Sequence, residues 1–416
     1  MNNSAYWFVN VRLESGYHYE DGVVAGTETE VCHIRVENGK IADIVPAAAG
    51  SLPNDGLPQH DAAGLLMLPA FKEMHIHIDK TYFSGPWRAV RPVSYIFGRI
   101  EEERELLPKL LPSAQERAEN MLGLLLGFGS THVRTHCNID PVVGLKNLEA
   151  TMKALETYSG KLSHEVVAFP QHGLLRSDAV GLVREAMRHG ATHVGGVDPA
   201  TVDENIEKSL QTIMDIAFET NACVDIHIHD RGETGISTMH RLAELTEQAG
   251  WQNRVTVSHA FGFAGDAAAA AELAERFAGL GISITSTVPF GSLIMPIPML
   301  RGKGVQVELG NDSITDHWSP FGTGDCLEKA GKLAELYLFV DERSLAESLG
   351  FITGGVTPLN AEGKRVWPSV GLAADAVFVQ ASCSAEAVAR RAKRKAVLFG
   401  GAIVSGSLTE GAANLP

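Results

Sequence analysis

The chain has 416 residues, 45% of them hydrophobic, and a net charge of −15. That length suits one large barrel with a minor domain, and the apolar fraction suffices for a sizeable core. The acidic balance argues against a nucleic-acid surface, which needs a basic stripe, and against an anionic membrane surface.

In chain order, Met1-Asn2-Asn3-Ser4-Ala5-Tyr6-Trp7 lacks a basic stretch followed by an apolar one, so no signal peptide is expected. No apolar run reaches the roughly 18–20 residues of a membrane helix. Cys32, Cys137, Cys223, Cys326 and Cys383 include no Cys-x-x-Cys pair. A disulfide framework is not expected, and the setting is expected to be cytoplasmic. Alternating residues 7–13 and 31–36 predict strands. Glu37-Asn38-Gly39-Lys40 is a turn signal, after which residues 41–45 resume the strand. Towards the other end, residues 374–379 and 395–399 read as short strands, with Gly400-Gly401 turning the chain. Chain ends often lie close in space, so residues 1–63 and 352–416 are expected to form one small composite β domain.

Residues 65–71 read as one buried strand running into Met74-His75-Ile76-His77-Ile78-Asp79-Lys80. Residues i and i+2 of a strand share a face, so His75 and His77 project together. Two such imidazoles can chelate a divalent metal, although alone they read equally as two unrelated loop residues. Further strands are expected at 131–140, 165–171, 193–199, 223–230, 254–260, 282–289 and 305–312. Helices are expected between them at 113–126, 145–158, 179–189, 202–220, 238–249 and 267–280. Eight strand–helix units over residues 64–351 predict an α/β fold, a distorted (β/α)8 TIM barrel. No Gly-x-Gly-x-x-Gly follows the first strand, which disfavours a dinucleotide fold.

Chemistry in such a barrel sits at the C-terminal strand ends. Those ends carry His75 and His77, His136 and Asp140, Gln171 and His172, His227, His229 and Asp230, Ser258 and His259, and Asn311 and Asp312. Histidines and carboxylates therefore gather at one end.

With these residues in view, the chain resembles the amidohydrolase superfamily, in its cytosine deaminase-like branch near N-isopropylammelide isopropylaminohydrolase. The matching stretches are Leu68-Pro69-Ala70-Phe71 leading to His75-Ile76-His77-Ile78-Asp79-Lys80, Val133-Arg134-Thr135-His136, and Val167-Ala168-Phe169-Pro170-Gln171-His172-Gly173. They continue with Asp225-Ile226-His227, Val257-Ser258-His259-Ala260, and Gly310-Asn311-Asp312 through Asp316-His317-Trp318-Ser319-Pro320. The resemblance implies one divalent metal, zinc first with iron or manganese as alternatives, held by His75, His77, His227 and Asp312. Three neutral imidazoles and a carboxylate leave an open position and lower the pKa of a coordinated water. It further implies Asp312 as general base, His259 as a hydrogen-bonding group at the developing oxyanion, and Gln171 at the substrate ring. Binuclear members carry a bridging lysine on the fourth strand. Here that strand is His193-Val194-Gly195-Gly196-Val197-Asp198-Pro199, so one metal per chain is expected.

Three positions depart from the cytosine deaminase pattern. Asp230 stands where those enzymes carry a glutamate proton shuttle, while His229 shares a face with His227; either is a candidate shuttle, Asp230 by position and His229 by direction. Lys80 stands where they carry a neutral residue. It is read as binding a ring carbonyl or an acidic substrate group, or else as a structural ion pair with Asp79 or Asp316. Ser313 stands where they have a second aspartate touching the substrate, so cytosine itself is a doubtful substrate. Trp318 either stacks on a planar heterocycle or plugs the loop. His136 is read as support for the site, His172 as facing away from Gln171, and His132, His164, His189, His193 and His240 as surface or packing residues.

The resulting expectation is a metal-dependent hydrolase acting on a C–N bond of an aminated nitrogen heterocycle. It would be a homo-oligomer with a small-molecule substrate. The rivals are a cyclic-amide hydrolase that opens its ring, and a non-catalytic metal- or ligand-binding protein on the same scaffold.

Overall fold

The computed structural model describes residues 5–50, 55–93 and 95–408. Eight parallel strands run in sequence order: β1 (Phe71–Ile76), β2 (Ser130–Asn138), β3 (Ser163–Phe169), β4 (His193–Val197), β5 (Cys223–His227), β6 (Val255–Ser258), β7 (Ser283–Ser286) and β8 (Val307–Leu309). A bridge between Ile76 and Asp312 joins the last strand's exit to the first. The Asp312 N–H donates to the His75 carbonyl at 2.7 Å, and the His77 N–H to the Asp312 carbonyl at 3.2 Å. The expected (β/α)8 barrel is therefore present, and its closure sets candidate metal ligands of the first and eighth strand ends side by side.

Helices α1 (Ile96–Leu110), α2 (Ala114–Gly127), α3 (Lys146–Thr157), α4 (Val180–Arg188), α5 (Ile206–Thr220), α6 (Gly232–Gln248), α7 (Ala267–Leu280), α8 (Ile297–Gly302) and α9 (Cys326–Leu336) surround it. Helix α5 begins where Asn205 accepts from the Lys208 N–H, later than the expected residue 202, while α6 begins at Gly232, earlier than expected. Helix α1 was not foreseen. It carries the charged run Glu101-Glu102-Glu103-Arg104-Glu105. The predicted barrel strands mostly ran too far at their C-terminal ends. There the chain leaves the ladder, and His229, Asp230, His259 and Asp312 lie in loops.

The terminal sheet joins both chain ends in the order Ala402–Gly406, Arg394–Phe399, Ala376–Val379, Leu66–Pro69, Ala5–Glu20, Val23–Glu37, Lys40–Pro46. The single strand expected over residues 65–71 is in fact two. Leu66–Pro69 pairs with Ala376–Val379 in this sheet, and Phe71–Ile76 enters the barrel. Pro69 has no N–H to donate, so a change of sheet here breaks no ladder bond at that residue. Leu66–Pro69 lies beyond residue 63, where the sequence placed the domain boundary; the division into 1–63 with 352–416 and 64–351 stands as a proposal. Its outermost residues, 1–4 and 409–416, lie outside the described ones.

Two glycine turns pin the ends together. Asn38 and Gly39 have φ of 52° and 76°, as a two-residue hairpin turn requires. A Cβ on Gly39 would sit 2.8 Å from the Gly400 carbonyl oxygen. Phe8, Val11, Leu13, Ile34, Phe378 and Leu398 form this sheet's own core, separate from the barrel core.

Candidate active site

Six imidazoles and Asp312 converge at the C-terminal mouth of the barrel. The rings of His75 and His77 lie 5.5 Å apart, those of His75 and His227 4.7 Å, and those of His75 and His259 4.9 Å. One carboxylate oxygen of Asp312 is 3.4 Å from His75 Nε2 and 3.3 Å from His77 Nε2; the other is 3.9 Å from His259 Nε2. Two overlapping triads could hold an ion: His75, His77 and Asp312, and His75, His227 and His259. The implied ligand set is thus divided between triads that share His75, with His259 joining His227.

The chemistry of these donors fits a divalent ion. Burial pushes the His227 and His259 imidazoles well below their usual range, and His77 down to about 4. Neutral rings keep a lone pair free for a metal. Nε2 of His75, His227 and His259 is buried with no hydrogen-bond partner among the described residues. Such orphaned atoms carry a desolvation cost that metal ligation would remove. For two of the rings, the hydrogen bond at Nδ1 directs Nε2 into the site. His75 Nδ1 lies 2.8 Å from the Ser258 hydroxyl, which donates to Asp225 at 2.6 Å. His77 Nδ1 donates to the His136 carbonyl at 3.1 Å, and the His136 ring packs 4.1 Å from that of His75. Burial alone would raise the Asp312 carboxyl, but His75 and His77 outweigh it and hold it well below its usual range.

Three residues of the site hold left-handed backbone. Asp312 has φ of 63°, His259 of 70° and Asp198 of 37°. Non-glycine residues in the left-handed region cost on the order of 1 kcal/mol each and persist where their surroundings fix them. Gly310 shows how tightly they are fixed, because a Cβ there would lie 2.5 Å from the His75 Cβ.

On one flank, His229 Nδ1 donates to Asp198 at 2.8 Å, leaving Nε2 towards the site. Its ring packs on His259 with centroids 4.3 Å apart. Burial alone would lower the His229 pKa, but the Asp198 charge outweighs it and the net shift is upward, with Asp312 adding to it. The Asp230 carboxylate instead accepts from the Thr201 hydroxyl. Asp198 was not singled out in the sequence, although the strand-end rule applied to the other strands reaches it.

On the other flank is Lys80, 1% exposed. Its ammonium donates to Glu103 at 3.1 Å, Asn138 at 3.2 Å and Gln171 at 2.9 Å, which uses all its donors. The ion pair considered with Asp79 or Asp316 is made instead with Glu103 of α1. Asp79 accepts from the Asn138 backbone and the Asn147 amide. Direct contact of Lys80 with a substrate, the other reading, would require one of these bonds to break. Glu103 is fully buried and also accepts from His317 at 2.7 Å, Trp318 Nε1 at 2.8 Å, His172 at 3.0 Å and Asn138 at 3.2 Å. His172, expected to face away from Gln171, joins the network that orients it. The Lys80 ammonium lies 5.6 Å from the Trp318 ring centroid, so the tryptophan is anchored at its N–H and its π face. Ser313 is buried beside Asp312 and has no protein hydrogen-bond partner among the described residues. Phe169 joins the flanks, stacking on His227 at 4.1 Å.

A family model described as the amidohydrolase family matches residues 105–405. The chain is 46% identical over 408 residues to the Escherichia coli (strain K12) protein YahJ, covering 97% of this chain and 88% of that one. It is 31% identical over 358 residues to N-isopropylammelide isopropyl amidohydrolase of Pseudomonas sp. (strain ADP), covering 83% and 87%. Among solved structures, N-isopropylammelide isopropylaminohydrolase from Burkholderia multivorans superposes with a TM-score of 0.85 at 30% identity, over 97% of this chain and 99% of that one.

Proposed function

This chain belongs to the amidohydrolase family, and from that premise we propose that it is a mononuclear metal-dependent hydrolase that cleaves an exocyclic C–N bond of an aminated nitrogen heterocycle. The leaving group is ammonia or a small amine. The observation that carries the reading is the cluster of buried, neutral imidazoles with unpartnered nitrogens around Asp312. A triazine-type ring is favoured over cytosine, because Ser313 offers a hydroxyl where a cytosine deaminase has an aspartate, and because the relative named for N-isopropylammelide is 31% identical.

His75, His77, His227 and Asp312 would hold one divalent ion, zinc or alternatively iron or manganese. When bound, the ion supplies a Lewis acid that lowers the pKa of a water at the site. Asp312, held ionised by its histidines, takes a proton from the attacking water as its oxygen bonds to the ring carbon. His259, neutral and 3.9 Å from Asp312, donates to the developing negative charge. His229 delivers the proton that the departing nitrogen needs as the C–N bond breaks. Its orientation by Asp198 and its packing on His259 favour it over Asp230, whose carboxylate is bound to Thr201. Gln171 holds the ring, with Trp318 packing beside it.

The test is release of ammonia or amine from a panel of cytosine, isoguanine, pterin and triazine analogues by the metal-loaded protein. Turnover of an aminated ring with release of the amine is expected. Ring opening without amine release would replace this reading with a cyclic-amide hydrolase. Stoichiometric metal with no turnover across the panel would leave a binding protein.

A further inference from the structure

We propose that Glu103 and Lys80 are positioning residues that turn the Gln171 amide so that its N–H groups, and not its carbonyl, face the substrate. The enzyme would thereby select a ring with a hydrogen-bond acceptor on that edge. This inference rests on the heterocycle-hydrolase reading above and specifies the substrate class within it.

The orientation follows from donor counting. An ammonium group only donates, so the Gln171 atom 2.9 Å from Lys80 Nζ must be the carbonyl oxygen. The same logic orients Asn138, whose oxygen faces Lys80 at 3.2 Å while its amide donates to Glu103 at 3.2 Å. With its oxygen turned to Lys80, Gln171 leaves Nε2 as the end of the amide that no protein group among the described residues bonds. The residue is 4% exposed, and the Lys80 ammonium that holds its oxygen lies 5.9 Å from the centroid of the Phe169 ring, which stacks on His227, so one aromatic ring separates that ammonium from the histidine cluster.

Glu103 makes the arrangement rigid. A buried lysine without a countercharge tends to lose its proton, and a neutral amine could accept from the Gln171 amide. Neutral Lys80 would therefore permit the amide to flip. Five donors converge on the Glu103 carboxylate, which keeps it ionised and beside Lys80. A ring carbonyl or unprotonated ring nitrogen then meets an N–H donor at Gln171. An amino group or ring N–H at that place meets a second donor and leaves both unpaired.

The experiment uses the metal-loaded enzyme and a matched pair of N-alkylamino triazines. The pair differs only at a non-reacting carbon, which bears an oxo group in one compound and an amino group in the other. Alkylamine release reads attack at the same carbon in both. Wild type is expected to prefer the oxo ring in kcat/KM by roughly 10- to 100-fold, the scale of a hydrogen-bond mismatch at a buried polar site. Gln171→Glu should favour the amino ring. Lys80→Met and the near-isosteric double variant Lys80→Met/Glu103→Gln should each bring the ratio towards one, chiefly through KM. A purely structural role would lower both rates equally and keep the ratio. A wild-type ratio near one, or an unchanged ratio in folded Lys80→Met and double variants, overturns the inference and leaves the hydrolase reading standing. No alkylamine from either ring overturns the inference for triazines, and only a failure across the whole analogue panel overturns the hydrolase reading as well.

Discussion

The Lys80 ammonium and the Glu103 carboxylate meet at 3.1 Å with 1% and 0% of their side chains exposed. Residues this buried are costly to separate, because the survivor keeps an uncompensated charge. Lys80→Met or Glu103→Gln alone should destabilise the protein by about 3–5 kcal/mol. The double variant should lose much less than the sum of the two, and denaturant unfolding of all four proteins in a double-mutant cycle measures the coupling. Additive losses would show that the pair contributes no mutual stabilisation.

The same pair fixes a pH dependence. Burial alone would raise the Glu103 carboxyl, but Lys80 and hydrogen bonds from His172 and His317 outweigh it and hold it well below its usual range. Its stabilisation is therefore present above the unfolded carboxylate pKa and is lost as pH falls through the lower folded value. Burial alone would lower the Lys80 pKa, but Glu103 outweighs it and the net shift is upward. That stabilisation is present below the unfolded lysine pKa and is lost as pH rises through the higher folded value. The stability difference between wild type and the double variant should thus stay flat from about pH 5 to 10, the window between ordinary carboxylate and lysine values. Thermal unfolding across that range tests it; a slope inside the window would show that one partner is not charged or that His172 or His317, which donate to Glu103, titrates with the pair.

Asp312 stands between three histidines with φ of 63°. Asn tolerates that backbone better than Ala does, so Asp312→Asn separates chemistry from strain. Both variants should abolish turnover with circular dichroism unchanged, and Asp312→Ala should lose about 1 kcal/mol more stability. Near wild-type turnover in either would end the assignment of Asp312 to water activation.

Elemental analysis of purified protein should find one divalent metal per chain. Chelation should abolish turnover, and re-addition should restore it. Two metals per chain at full occupancy would contradict the mononuclear reading. Gly310→Ala should weaken metal retention, because its Cβ would meet the His75 Cβ at 2.5 Å and displace that ligand.

His229→Gln should cost about 100- to 10,000-fold in kcat, the usual contribution of a general acid, with KM little changed. Asp198→Asn, which loosens the imidazole, should cost less, and Asp230→Asn less again. A larger loss at Asp230 than at His229 would transfer the proton delivery to the aspartate.

The sequence by itself determined the barrel, the strand order and the strand-end residues. Strand periodicity and burial are local properties, and the strand-end rule converts them into positions on one face. His75, His77, His227, His259 and Asp312 were legible for that reason, as was the absence of a fourth-strand lysine. Only the tertiary structure decided what stands behind them. Glu103 lies 23 residues from Lys80, 69 from His172 and 214 from His317, within a run of charged residues in which no motif singles it out. Its helix α1 carries it inward, and no local pattern encodes that docking. The path of Leu66–Phe71 from one sheet into another was likewise set by its distant partner Ala376–Val379. The direction in which Gln171 points depends on the protons of a lysine elsewhere in the chain, so it appears only once the groups are packed together.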